Sequence, residues 1–167
     1  MTNHIMKKLT LFIFLLTLAV KPVGVFAKND YPYQAMASFI YDFQTLVKDQ
    51  KGRLCVYGYD QVVVAIEAKN EDVIFLKNED QLSVSLSRHL CKMLYVAKSK
   101  DNNLSSVITI ANKAQIVSMS IEDDFVERGG MIAVQMGRRS FELNINHKNI
   151  EKFKTKFDPI VPSLVVN

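Results

Sequence analysis

Gly129-Gly130-Met131-Ile132-Ala133-Val134-Gln135-Met136-Gly137-Arg138-Arg139-Ser140-Phe141-Glu142-Leu143-Asn144-Ile145-Asn146 is the stretch on which the fold turns. It reads as a β-hairpin entered through a double glycine. Gly137 and Arg138 fill the two loop positions, and glycine at the first suits a type II′ turn, where φ is positive. That register sets Met136 against Arg139, Val134 against Phe141 and Ile132 against Leu143. Ile132, Val134, Met136, Phe141, Leu143 and Ile145 then share one face. Gln135, Ser140, Glu142, Asn144 and Asn146 share the other. Period-2 alternation that agrees with the turn register predicts a half-buried pair of strands. Gly129, Gly130 and Gly137 are structural turn positions, the first two as a backbone turn of positive φ.

Upstream of the hairpin, helical and extended patterns alternate. Glu122 to Arg128 is a short acidic turn or helix, and Gln115 to Ser120 a strand. Asn102 to Ala114 reads as a helix with Leu104, Val107, Ile108 and Ala111 on one face. Lys92 to Ala97 and Val73 to Leu76 read as strands. Between them Leu82, Val84 and Leu86 alternate with serines, which suggests another strand or an extended segment. Asp60 is placed to cap a helix from Gln61 to Ala68. Arg53 to Gly58 is a short apolar strand after the break at Gly52. Asn29 to Val47 is an amphipathic helix, with Met36, Phe39, Ile40, Phe43, Leu46 and Val47 at helical spacing. Downstream, Ile150, Phe153 and Phe157 mark a last helix ended by Asp158-Pro159. The pattern implies a single three-layer α/β domain: a mixed sheet flanked by helices, with a C-terminal hairpin.

The first 27 residues stand apart. Met6-Lys7-Lys8 is a basic start, Leu9 to Val20 a short apolar run, and Val25-Phe26-Ala27 a small-x-Ala cleavage pattern. This is the signature of a secretory signal peptide. The apolar run is short for a span of roughly 20 residues. The division is therefore 1–27 signal peptide and 28–167 exported domain, with no stable membrane insertion after cleavage. Lys7, Lys8 and Lys21 leave with the signal and no acid does. Of 21 Lys and Arg against 17 Asp and Glu, the mature chain keeps a net charge near +1. The sequence pI of about 9.0 is mostly a property of the signal, and nothing basic enough remains to point to nucleic acid.

Cys55 and Cys91 both fall in the exported part, where an isolated pair forms a disulfide. In the chain-entropy picture, closing that loop stabilises the fold by roughly 4 kcal/mol. No Cys-x-x-Cys occurs. His89 and His147 lack metal-site spacing, and Ser118 and Ser120 lie in no G-x-S-x-G. The double glycine has neither Walker nor dinucleotide spacing. Glu122, Asp123 and Asp124 read as a solvated acidic run. Arg138 and Arg139 at the hairpin tip could grip an anion or an acidic partner. No constellation supports catalysis, and no cofactor or metal is implied.

Four segments carry a family resemblance. They are Ser38-Phe39-Ile40-Tyr41-Asp42-Phe43, Leu54-Cys55-Val56-Tyr57-Gly58, Cys91-Lys92-Met93-Leu94-Tyr95-Val96-Ala97, and Phe125 through Met131-Ile132 with Phe141-Glu142-Leu143-Asn144-Ile145-Asn146. In this order behind a signal peptide, the chain resembles the YfiR-like (YfiR/HmsC-like) periplasmic regulators of diguanylate cyclases, over roughly Gln34 to Lys152. It departs from them in having Lys48-Asp49-Gln50 where a W-P often stands, Lys92 after the second cysteine, and no second cysteine pair. The resemblance implies a non-enzymatic periplasmic protein. It would bind and repress a membrane-bound diguanylate cyclase through the cyclase's periplasmic domain, lowering cyclic di-GMP and biofilm formation. A homodimer is compatible with this. Partner contact is expected from the aromatic helix (Phe39, Tyr41, Phe43) and from Arg138 and Arg139, with Tyr41 the best candidate for an exposed ring. The competing reading is a periplasmic small-ligand carrier or sensor that uses the carboxyl ends of the parallel strands.

Overall fold

The computed structural model describes residues 31–48, 51–69, 72–98, 103–137, 140–146 and 148–149. The signal-peptide assignment, the helix expected around Phe153 and Phe157, Arg138, Arg139 and His147 lie outside them. Helix α1 spans Tyr31–Phe43 and tightens into a 3-10 turn at Gln44–Leu46. Then follow β1 (Arg53–Tyr57), α2 (Gln61–Ala68), β2 (Val73–Leu76), α3 (Glu79–Ser87), β3 (Cys91–Val96), α4 (Leu104–Lys113), β4 (Val117–Ser120), β5 (Ile132–Met136) and β6 (Phe141–Ile145).

The sheet runs β2-β1-β3-β4-β5-β6. Its first five strands are parallel, and β6 is antiparallel to β5. Parallel strands covered on both faces must be apolar on both sides. In β3, five of the six residues from Cys91 to Val96 are buried, and in β4 all four from Val117 to Ser120. One layer packs α1 and α2 on the sheet through Ile40, Phe43, Val62 and Ile66 against Leu54, Met93, Tyr95 and Met119. The other packs α3 and α4 through Leu82, Leu86, Val107 and Ile108 against Cys55, Leu94 and Val96. This is the expected single three-layer α/β domain with a mixed sheet. Cys55 and Cys91 are bonded, their Cα atoms 5.4 Å apart, and so clamp β1 to β3 in the second layer.

The alternating Leu82, Val84 and Leu86 are helical, not extended. Asn78 Oδ1 accepts the Gln81 N–H at 2.9 Å, and Gln81 Oε1 accepts the Lys77 N–H at 2.9 Å. Glu79 and Asp80 sit in the first turn, where acids complement the helix dipole. Leu82 and Leu86, four residues apart, are buried together while Val84 is 47% exposed. The alternation was two-thirds of a helical stripe. The helix ends in a Schellman motif at His89, whose φ is +54°. Its N–H donates to Leu86 O, and the Leu90 N–H donates to Ser85 O, both at 3.0 Å. His89 is thus an exposed helix terminator.

The hairpin exists with a different register. Met136 pairs with Phe141, Val134 with Leu143 and Ile132 with Ile145. The Gly137 N–H donates to Ser140 O at 2.9 Å, so Gly137 still belongs to the paired backbone and is not the first residue of a two-residue Gly137-Arg138 loop. Moving the turn by one residue moves each partner by two, and a two-residue shift keeps every side chain on its face. Ile132, Val134 and Ile145 are accordingly buried in the first layer, with Phe141 and Leu143 packed against it.

The glycines divide into two kinds. Gly129 has φ +96°, a region open to glycine at little cost, and ends the acidic turn as Gly130 N–H reaches back to Phe125 O at 2.8 Å. Gly130 and Gly137 are not at positive φ. Theirs is a problem of space. A Cβ on Gly130 would fall 2.3 Å from the ring of the fully buried Phe125, and one on Gly137 2.7 Å from Glu142 Oε1.

Candidate functional site

The chain leaves β1 toward α2 on one face of the sheet and leaves β3 toward α4 on the other. The carboxyl ends of these neighbouring strands therefore form the point where an open α/β sheet parts its loops to receive ligands. Asp60 organises that point. Its Oδ1 caps α2 by accepting the Val63 N–H at 2.9 Å, as its position predicts. Its Oδ2 accepts the Tyr95 hydroxyl at 2.9 Å and the Lys98 N–H at 2.8 Å. One carboxylate thus joins the start of α2, the buried interior of β3 and the exit from β3. The Ala97 N–H adds a bond to Tyr57 O at 2.8 Å. Burial holds the Tyr95 phenol far above its ordinary range, helped by the negative charge and hydrogen bond of Asp60 and by the charge of Glu122. At 0% exposure Tyr95 is a neutral donor in the core.

A cleft of about 480 Å³ opens beside this junction. Tyr57, Gly58 and Ala97 come from the strand ends, and the β2–α3 turn contributes Lys77, Asn78, Glu79 and Asp80. Ser106 Oγ, in the first turn of α4, donates to Glu79 Oε2 at 2.6 Å and ties the starts of α3 and α4 together.

The aromatic helix lies on the opposite layer. Phe43 is 2% exposed and belongs to the core, so it offers a partner no surface. Phe39 and Tyr41 are half-buried against the same core. The Phe39 ring lies 4.7 Å from that of Phe141 and 5.8 Å from that of Phe43, so α1 reaches across the sheet to β6. Beyond that contact the hairpin opens to solvent, and Met136 is 47% exposed.

The remaining candidates have structural work. Ser118 Oγ accepts the Met131 N–H at 3.3 Å and Ser120 Oγ the Glu122 N–H at 3.1 Å, which ties β4 to the segment leading into the hairpin. Asp123 pairs with Lys98 at 3.7 Å and Asp124 with Arg128 at 3.8 Å, both exposed and worth little. Glu122 Oε2 is buried with no hydrogen-bond partner. Among the described residues no group of three or more His, Cys, Asp and Glu could hold a metal ion. The cleft and the junction beside it offer polar and charged groups of both signs to a ligand. The junction at Asp60, Tyr95 and Lys98 was invisible in the sequence beyond the capping position of Asp60, because its partners lie 35 and 38 residues away.

Among solved structures, the chain resembles the crystal structure of a conserved domain protein from Vibrio cholerae O1 biovar El Tor strain N16961. The TM-score is 0.55 at 12% identity, over 79% of this chain and 58% of that one. The likeness is one of fold, and the chain spans less than two thirds of that protein's length. No curated protein matches. The profile of the YfiR/HmsC-like family matches residues 33–164, and the chain belongs to that family.

Proposed function

We propose that this protein is exported by its first 27 residues and binds the periplasmic domain of an inner-membrane diguanylate cyclase. It holds the cyclase inactive and so lowers cyclic di-GMP and biofilm formation. The observation that carries this reading is family membership across residues 33–164. Inhibition across a membrane requires no chemistry from the inhibitor. It requires tighter binding to the inactive conformation of the partner, because a ligand shifts an equilibrium only by its differential affinity. The described residues fit that role. Both cysteines are locked in a disulfide, Ser118 and Ser120 accept backbone N–H groups, and no described helix is long and apolar enough to cross a membrane. Phe39 and Tyr41, with Arg138 and Arg139 at the hairpin connection, supply the contact. Phe43 serves it from the core by supporting Phe39.

Deleting the gene should raise cyclic di-GMP, and periplasmic wild-type protein should restore it. Tyr41→Asp and the pair Arg138→Glu and Arg139→Glu should restore it poorly while melting like wild type. Unchanged cyclic di-GMP in the deletion strain, with no cyclase copurifying from detergent-solubilised membranes, would sink this reading. Intact mass of the periplasmic protein should place its first residue at or near Lys28.

A further inference from the structure

The cleft at the carboxyl ends of β1 and β3 has no part in the regulatory reading. At about 480 Å³ it is the size of a small-molecule site, which runs from roughly 300 to 1,000 Å³. It also stands where the strand order reverses, the usual ligand position in open α/β sheets. Tyr57, Gly58 and Ala97 line it at the strand ends. Gly58 has φ +85°, and a Cβ there would press to 3.3 Å from the Ala97 Cβ. Its walls bear both signs of charge, with Lys77 beside Glu79 and Asp80. The start of α3 is capped by Asn78, whereas Asn103 makes no side-chain cap on α4. Among the described residues, the amide donors in the first turn of α4 have no side-chain cap. A lone anion would meet two carboxylates here, and a lone cation would meet Lys77. A molecule carrying both charges satisfies both walls.

We propose that this cleft binds a small zwitterion of the amino-acid type, its ammonium on Glu79 and Asp80 and its carboxylate on Lys77 and the first turn of α4. The site is formed by β1, β3, α3 and α4, away from the α1 surface assigned to the cyclase, so the two readings stand or fall separately. The test is isothermal titration of the periplasmic protein with the free L-α-amino acids. Each binder is then compared with its decarboxylated amine and its deaminated acid. At least one amino acid should bind saturably, and loss of either charged group should weaken it by at least about tenfold, or ~1.4 kcal/mol. Lys77→Met and Glu79→Gln should weaken it similarly without changing the melting temperature. If Glu79→Gln misfolds through loss of its bond to Ser106, the exposed Lys77 carries the test alone. The proposal is overturned if no amino acid binds up to millimolar concentration, if single-charge analogues bind equally well, or if Lys77→Met binds like wild type. None of these outcomes depends on cyclic di-GMP.

Discussion

Strands β3 and β6 belong to one sheet, yet β3 is an almost unbroken apolar run while β6 alternates Phe141, Leu143 and Ile145 with Glu142 and Asn144, and the two live in different surroundings. β3 has neighbours on both edges and helices on both faces, and Met93, Leu94 and Tyr95 are all at 0% exposure. β6 closes the sheet, and its residues alternate between half-buried and exposed until Ile145 is covered. The interior strand is fixed by packing and by the Tyr95–Asp60 bond. The edge strand keeps Phe141 and Leu143 half-open beside Phe39. The difference teaches that the same residue type serves stability at one position and is available for recognition at another, according to how many layers cover it.

Truncation should separate the two strands first. Leu94→Ala removes a fully buried side chain from the second layer and should cost about 2–5 kcal/mol. Leu143→Ala, on a half-buried edge, should cost about 1. Phe141→Ala should fall between them, since its ring is only partly covered. Equal midpoint shifts for Leu94→Ala and Leu143→Ala in urea would mean that another surface covers β6.

Next in size is the carboxylate at the switch point. Asp60→Ala removes a helix cap worth about 1 kcal/mol, and it leaves the buried Tyr95 hydroxyl without its acceptor, a further cost of about 1–3. Asp60→Asn keeps a cap and should recover part of the loss. A cost for Asp60→Ala no larger than an ordinary cap would show that the Tyr95 hydroxyl finds another partner.

A pH series sharpens the same contrast. The Tyr95 phenol is held far above its ordinary value of 10.0 by burial first, then by Asp60. Such a group contributes stability in full below its unfolded value and loses it as pH rises through the interval up to the folded value. Above pH 10 the unfolded chain releases the proton and the folded chain keeps it. Stability should then fall by up to about 1.4 kcal/mol per pH unit from this group. Tyr95→Phe should remove that part of the slope and leave the curve below pH 9 parallel to wild type. Denaturant titrations at fixed pH values would read it, and identical slopes above pH 10 would contradict the assignment.

The smallest effect belongs to the exposed face of β6. Asn144 points to solvent, and Asn144→Ala should change stability by less than about 0.5 kcal/mol. A larger loss would mean that this face is covered.

How much could be read beforehand follows from the range of each interaction. The strands at Arg53, Val73, Lys92 and Gln115 were legible because runs of buried apolar residues are a local pattern. The cap at Asp60 was legible because it spans three residues. The segment around Leu82 was misread, since residues at 82, 84 and 86 satisfy both periods. The helix was decided by Asn78 and Gln81 at its start. The hairpin was recognised from its alternation, but Gly137 drew the turn one residue too early. A two-residue slip costs no change of face, so hydrophobic patterning had no means of detecting it. What settled it was the 2.9 Å bond from Gly137 to Ser140 and the ladder from Met136 to Phe141.

By itself, then, the sequence determined the layered α/β class, the two faces of the hairpin and a cysteine pair suited to bonding, all products of local period and composition. Only the tertiary structure decided that Asp60, Tyr95 and Lys98 meet, that Phe43 is core while Phe39 reaches β6, and that Lys77 and Glu79 share a cleft with the start of α4. Those contacts depend on strand order. Strand order is set by the summed packing of both layers, and no local run of residues encodes it.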